Sequence, residues 1–171
     1  MKLLEKRKIY LQKYLVELNG KKGEENMITF TLDIIPEPQK QTRFAIRGGK
    51  PRCYDPSTAY KTQLQWQMKA YAPKEPFPGP VRVDYTFYLP IPKDTSWIKK
   101  QQMFTGFIFH IKKPDLDNLA YVVTNAMKDI IYKDDSQIVF KSARKMYGEK
   151  PRIIVMVQSA DESQELVGND K

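Results

Sequence analysis

The sequence predicts an α+β (mixed α/β) domain: a small, mostly antiparallel sheet of about four strands packed with helices. Three observations lead there. Apolar and polar residues alternate through residues 27–35 and 81–89, the period of strands with one buried face. A run with helical spacing stands at Leu119, Val122, Val123, Ala126, Met127, Ile130 and Ile131. A turn at Gly148-Glu149-Lys150-Pro151 separates two further strand-like stretches, 138–147 and 152–158, read together as a β-hairpin.

In chain order, residues 2–18 read as an amphipathic helix with Leu3, Leu4, Ile9, Tyr10, Tyr14 and Leu18 in rough register, ended by a Gly-containing linker. Residues 1–26 therefore stand as a helix and linker, 27–159 as the main domain and 160–171 as a frayed acidic tail. Ile28, Phe30, Leu32 and Ile34 make one face of the first strand, and Pro36-Glu37-Pro38 stops it. The stretch 39–52 reads as an exposed basic hairpin or loop, with Lys40, Arg43, Arg47, Lys50 and Arg52 placed for phosphate contact. Asp55-Pro56 opens a helix as N-cap and first residue, with Tyr60, Leu64, Gln67/Met68 and Tyr71 as its buried stripe. That aromatic stripe is read as core rather than as a stacking platform for bases. A proline-rich connector over 73–80 leads to the second strand, whose inner face is Val81, Val83, Tyr85, Phe87 and Leu89. A short helix over 95–102, capped by Thr95, and an extended return over 107–110 bring the chain to its acidic motif.

The net charge is +9; the first 25 residues carry +3 and the last 12 carry −3, so the domain between them holds +9 by itself. A basic globular domain points to a polyanion, nucleic acid first. A single cysteine, Cys53, excludes an internal disulfide and fits a reducing, cytoplasmic setting. The longest apolar run, 153–157, is far too short to span a bilayer, and the basic N-terminus lacks the apolar region of a signal peptide.

The chemistry concentrates around Lys112-Lys113-Pro114-Asp115-Leu116-Asp117-Asn118-Leu119. Pro114 biases Lys113 to an extended conformation, where residues two apart face one way, so Asp115 and Asp117 are expected to face one spot. Asp117 is expected at the N-cap of a helix over 118–131. A second acidic pair, Asp134-Asp135, follows in a polar turn. Carboxylates without a Cys or His cluster select Mg²⁺, Mn²⁺ or Ca²⁺ over zinc. An EF-hand, a Walker A loop and a dinucleotide fingerprint are absent, and His110 is the single histidine, read as structural or as a neighbour of the phosphate path. A cation would reconcile four carboxylates with a basic domain and would serve phosphodiester chemistry. The bland alternative makes Asp117 a cap and Asp134-Asp135 a turn, and leaves Asp115 without an account.

The two-part motif Lys113-Pro114-Asp115-Leu116-Asp117-Asn118-Leu119 with Tyr132-Lys133-Asp134-Asp135-Ser136-Gln137-Ile138 resembles that of the RusA family of Holliday-junction resolvases, over about residues 28–158. The resemblance implies a RusA-like fold in a two-fold homodimer and a Mg²⁺-dependent endodeoxyribonuclease, with Mn²⁺ able to substitute, that nicks four-way DNA junctions symmetrically. Its essential aspartates would fall on Asp115, Asp117 and Asp135, with Asp134 beside them. Some members carry a functional lysine four residues after the second motif Asp; here that position is Tyr121, which leaves Lys112, Lys113 and Lys133 as candidate cations and DNA contacts. Length adds one expectation. A helix over 118–131 is about 21 Å long, and the residues from its end to Asp135 extend at most about 14 Å, so Asp135 is expected to serve the site of a partner subunit. Two other readings stand beside the resolvase: a non-catalytic basic DNA-binding protein, and a metal nuclease for other branched DNA such as flaps or forks.

Overall fold

The structure, a computed structural model, describes residues 27–160; the helix expected over 2–18, its linker and the acidic tail lie outside the described residues. The chain forms an α+β fold with two sheets. Strands β1 (Met27–Leu32), β4 (Val81–Pro90), β5 (Ile138–Gly148) and β6 (Arg152–Ser159) build a four-stranded sheet in the order β1-β6-β4-β5. Strands β2 (Arg43–Arg47) and β3 (Lys50–Tyr54) form a separate antiparallel ribbon. Helices α1 (Thr58–Met68), α2 (Trp97–Phe104) and α3 (Leu116–Met127) complete it.

The β5–β6 hairpin does not form. β4 lies between the two strands, parallel to β5 and antiparallel to β6. β4 takes the centre because its inner residues Val81, Val83, Tyr85 and Phe87 are wholly buried, whereas Val139, Phe140, Lys141 and Ser142 of β5 are exposed as suits an edge. Stepping over one strand spans about 10 Å, within reach of the three-residue link between Gly148 and Arg152. Gly148 closes β5 beside β4; a Cβ there would stand 2.9 Å from Tyr88 Cβ, so glycine lets the backbones approach.

One face of the sheet carries the core. Phe30 and Leu32, the inner residues of β4, and Ile153, Val155 and Val157 of β6 meet Tyr60, Leu64 and Met68 of α1 and Leu119, Val122, Val123, Ala126 and Met127 of α3. α1 packs on α3 and β1, and α3 on β5. Inside this core Tyr85 Oη and Thr124 Oγ1 share a 2.7 Å hydrogen bond, Thr124 Oγ1 also donates to Ala120 O, and Tyr132 Oη donates to Thr124 O, so these three hydroxyls are all partnered.

Element ends differ from expectation for local reasons. α1 begins at Thr58 with Ser57 at the N-cap, not at Pro56, because the Asp55 carboxylate accepts the Ser57 N–H at 2.8 Å and draws the chain into an Asx turn first. Tyr71, placed in the α1 stripe, lies beyond the helix end and is 46% exposed, stacked on Phe30. α2 takes Ser96 rather than Thr95 as its N-cap and starts at Trp97. Residues 107–110 form no strand. Gly106, at φ 77°, closes α2: its N–H donates to Met103 O at 3.2 Å and that of Phe107 to Gln102 O at 2.8 Å, the paired bonds of a Schellman motif.

Candidate active site

α3 begins at Leu116, two residues before the expected start, and Asp115 rather than Asp117 takes the N-cap. Asp115 is extended (φ −71°, ψ 140°) and Asp117 lies in the first helical turn, so the two are not alternate residues of one extended segment. They share the helix's N-terminal rim instead, where unpaired backbone N–H groups concentrate partial positive charge. Leu116 packs on the core, which fixes the rotation of that first turn. Asp115 makes no cap hydrogen bond. Both carboxylates are exposed, and neither has a hydrogen bond or ion pair among the described residues.

The rim is hemmed by two supports. The Gln39 N–H donates to Asn118 O at 3.0 Å and the Lys40 N–H to Ser57 Oγ at 2.9 Å, so the strap after β1 crosses the helix start and carries Lys40 beside it. On the other side Lys145 of β5 donates from Nζ to Lys112 O and Pro114 O, each at 2.8 Å. Sequence reasoning missed Lys145; a lysine inside an expected strand is the faint signal, and only the sheet order brings it to the motif. Lys112 and Lys113 are exposed on the same turn. Tyr121, one turn into α3, is 51% exposed. His110 is buried and its ring meets Tyr147 at 4.7 Å, while burial first and the Lys145 charge second push its pKa down, so it is neutral at pH 7.

The second acidic pair lies past the other end of α3. The helix stops at Met127, not at residue 131: Lys128 turns extended and Asp129 adopts φ 62°. Ile131 and Tyr132 stay wholly buried in the turn that follows, which is why the apolar spacing outruns the helix. Asp134 then caps a 3₁₀ turn over Asp135–Gln137, accepting from Ser136 N at 3.1 Å while Gln137 Oε1 accepts from Asp134 N at 2.9 Å. Gln137 Nε2 ties the turn to Phe77 O and Gly79 O, at 2.8 and 2.7 Å. Asp134 also pairs with Lys128. That ion pair, and after it the Ser136 N–H, holds the Asp134 carboxyl far below the usual carboxylate range. The Asp135 carboxylate is exposed and has no such partner among the described residues. Lys133 is exposed next to it.

Two rulers separate the acidic pairs. The twelve residues of α3 rise about 18 Å. Lys145 marks the first pair and Ile138 the second, and the seven steps of β5 between them span about 23 Å. Among the described residues no three His, Cys, Asp or Glu side chains come together as a metal site.

The ribbon stands apart. Gly48 and Gly49, at φ 59° and 73°, form its two-residue turn with the signs of type I′. Opposed residues share a face: Arg43 with Tyr54 and Ala45 with Arg52 along one row, and Phe44 with Cys53 and Ile46 with Pro51 along the other, while the backbone of Arg47 pairs with that of Lys50 beside the turn. Arg43, Lys50 and Arg52 are exposed, and so are Phe44 and Ile46. No helix among the described residues is long and apolar enough to cross a membrane.

Residues 33–158, a span that holds the ribbon and both acidic pairs, match the family model described as Endodeoxyribonuclease RusA. The chain is 36% identical over 135 residues to the uncharacterized protein YqaN of Bacillus subtilis (strain 168), covering 77% of this chain and 95% of that one. It is 31% identical over 131 residues to the crossover junction endodeoxyribonuclease rusA of Lactococcus phage r1t, covering 75% and 93%.

Proposed function

The chain belongs to the RusA endodeoxyribonuclease family, and from that premise we propose that it resolves four-way DNA junctions by paired symmetric nicks, with Mg²⁺ held by Asp115, Asp117 and Asp135. One observation carries the reading: Asp115 occupies a helix N-cap without capping it, next to an equally unpaired Asp117. A carboxylate that leaves its own helix uncapped is one available to another ligand. Asp134 is engaged by its cap and by Lys128, so its part is to hold the turn, and Asp135 is the free donor of the second pair. Three carboxylates and no nitrogen or sulfur ligand form the hard-oxygen set that suits Mg²⁺, with Mn²⁺ as substitute. When bound, the ion supplies Lewis-acid polarisation of the scissile phosphate and a more acidic attacking water.

The chain's own groups do the rest. Lys112 and Lys113 flank the acidic rim and Lys133 the second turn, placed to hold phosphates near the carboxylates. Lys40 and the basic row of the ribbon extend that contact along the DNA backbone. Because α3 puts about 18 Å between the turns that carry the two acidic pairs, the site would be completed by a second copy in a C₂ dimer. Exposed apolar side chains lie at both ends that must meet: Phe109 and Ile111 ahead of Asp115, and Val139 and Phe140 just after Asp135. Such surface on a soluble protein marks an interface. Cleavage of a synthetic four-way junction, with Mg²⁺ and with a chelator, against a linear duplex of the same sequence tests the proposal. Paired nicks in the junction that need the metal are expected; a junction left whole with Mg²⁺ and Mn²⁺ overturns it in favour of a DNA-binding role, and equal cleavage of the duplex overturns the junction specificity.

A further inference from the structure

We propose that Lys145 is a positioning residue for the acidic rim, a clamp from the edge strand that sets where Asp115 stands; this rests on reading Asp115 and Asp117 as metal-holding carboxylates. Its ammonium donates to Lys112 O and Pro114 O, both at 2.8 Å, and the second of these carbonyls belongs to the peptide that carries the Asp115 amide. Residues 105–115 have no strand or helix to hold their backbone, so the turn before Asp115 takes its geometry from such bonds. Lysine suits the task, with three donors and no acceptor. Two N–H groups grip the turn that leads into the acidic rim.

The anchor is rigid where it matters. Lys145 is half-buried, and Tyr147 and Gly148, just beyond it, are buried against β4 opposite Leu89 and Pro90. The clamp therefore refers the acidic turn to the central sheet rather than to another loop, which is how a supporting residue holds a ligand within the small tolerance metal chemistry allows. Lys112 and Lys113, exposed on the turn itself, have no comparable support.

Lys145→Met keeps the aliphatic stem and removes the donors; Lys145→Arg keeps a cation with a different fork. Both are compared with wild type and with Asp115→Asn in single-turnover junction cleavage across a Mg²⁺ titration, in junction binding with chelator, and in thermal unfolding. The expected result is that Lys145→Met folds and binds the junction as wild type does, cleaves at least about tenfold more slowly at saturating protein with its half-saturating Mg²⁺ raised, and that Lys145→Arg recovers part of the loss. Unchanged cleavage across the titration overturns the proposal. So does a loss that tracks weaker junction binding and vanishes at saturating protein, since Lys145 is then a DNA contact. If Lys145→Met does not fold, Lys145→Gln, which keeps an amide donor, carries the same comparison. The Asp115→Asn arm separates the two readings: should that variant cleave like wild type, the metal-site assignment fails whatever Lys145 does.

Discussion

At the scale of single residues, four aspartates of one chemical type are distinguished by their partners alone. Asp134 spends its oxygens on Ser136 and Lys128, while Asp115, Asp117 and Asp135 keep theirs free. Asp117 lies in an exposed first turn, where asparagine is tolerated. Asp117→Asn is therefore expected to abolish junction cleavage, leave binding intact or stronger, and move the unfolding free energy by no more than about 0.5 kcal/mol. Normal cleavage by this variant in Mg²⁺ would remove Asp117 from the site. Asp55 shows the opposite use of a carboxylate. Lys61 first, then the Ser57 N–H and Gln39, hold its pKa below the ordinary value. A folded pKa that is depressed means the stabilisation is complete above the unfolded value and is lost as pH falls through the folded one. Asp55→Asn should thus lower stability at pH 7 by up to about 1 kcal/mol, and the gap from wild type should close as both are taken into acid below the ordinary carboxylate range. Denaturant midpoints at the two pH values measure it; a gap that persists in acid would mean the charge is not what Asp55 contributes.

Among the elements, α3 acts as both spacer and presenter: its buried stripe fixes its rotation on the sheet, and its length keeps the two acidic pairs apart. The β2–β3 ribbon is the element least tied to the core. It carries exposed Arg43 and Arg52 on one row and exposed Phe44 and Ile46 on the other. Phosphate contact by such a basic row would be independent of sequence and would release counterions. Charge reversal at Arg43 and Arg52 should therefore weaken junction and duplex binding alike and reduce the salt slope by about 1 for each lost contact. A folded double variant with the parent's salt slope would make the ribbon a solvated surface.

For the whole molecule, the decisive quantity is the distance between the ends of α3. A site that takes Asp115 and Asp117 from one subunit and Asp135 from its partner makes a definite prediction for mixed dimers. In such a dimer Asp115→Asn and Asp135→Asn are each expected to be inactive when paired with themselves. When the two are mixed, one of the two sites regains all its wild-type ligands, because one chain contributes Asp115 and Asp117 and the other contributes Asp135. Single-strand nicking of the junction should return, with one working site in each mixed dimer. Mixed dimers that stay inactive would place each site within one chain and require the turn after α3 to fold back along the helix.

The sequence by itself determined the fold class, the four strand segments of the main sheet, the apolar stripe of α3, the exposed basic ribbon and the two-part acidic motif. These rest on periodicity, turn chemistry and residue type, all of which are local. Helix starts slipped by about two residues because Asp, Ser and Thr next to one another are all capping types, and the bond each makes depends on the surrounding turn. Tertiary structure alone decided that β4 divides β5 from β6. A short turn between two strands reads as a hairpin in sequence, yet the most completely buried strand takes the centre of the sheet wherever it falls in the chain. The same sheet order carries Lys145 to the backbone ahead of Asp115, a juxtaposition of residues some thirty positions apart. The turn after α3 likewise pairs Asp134 with Lys128 and leaves Asp135 without a partner among the described residues, because a carboxylate's partners are fixed by what the fold brings within hydrogen-bond reach.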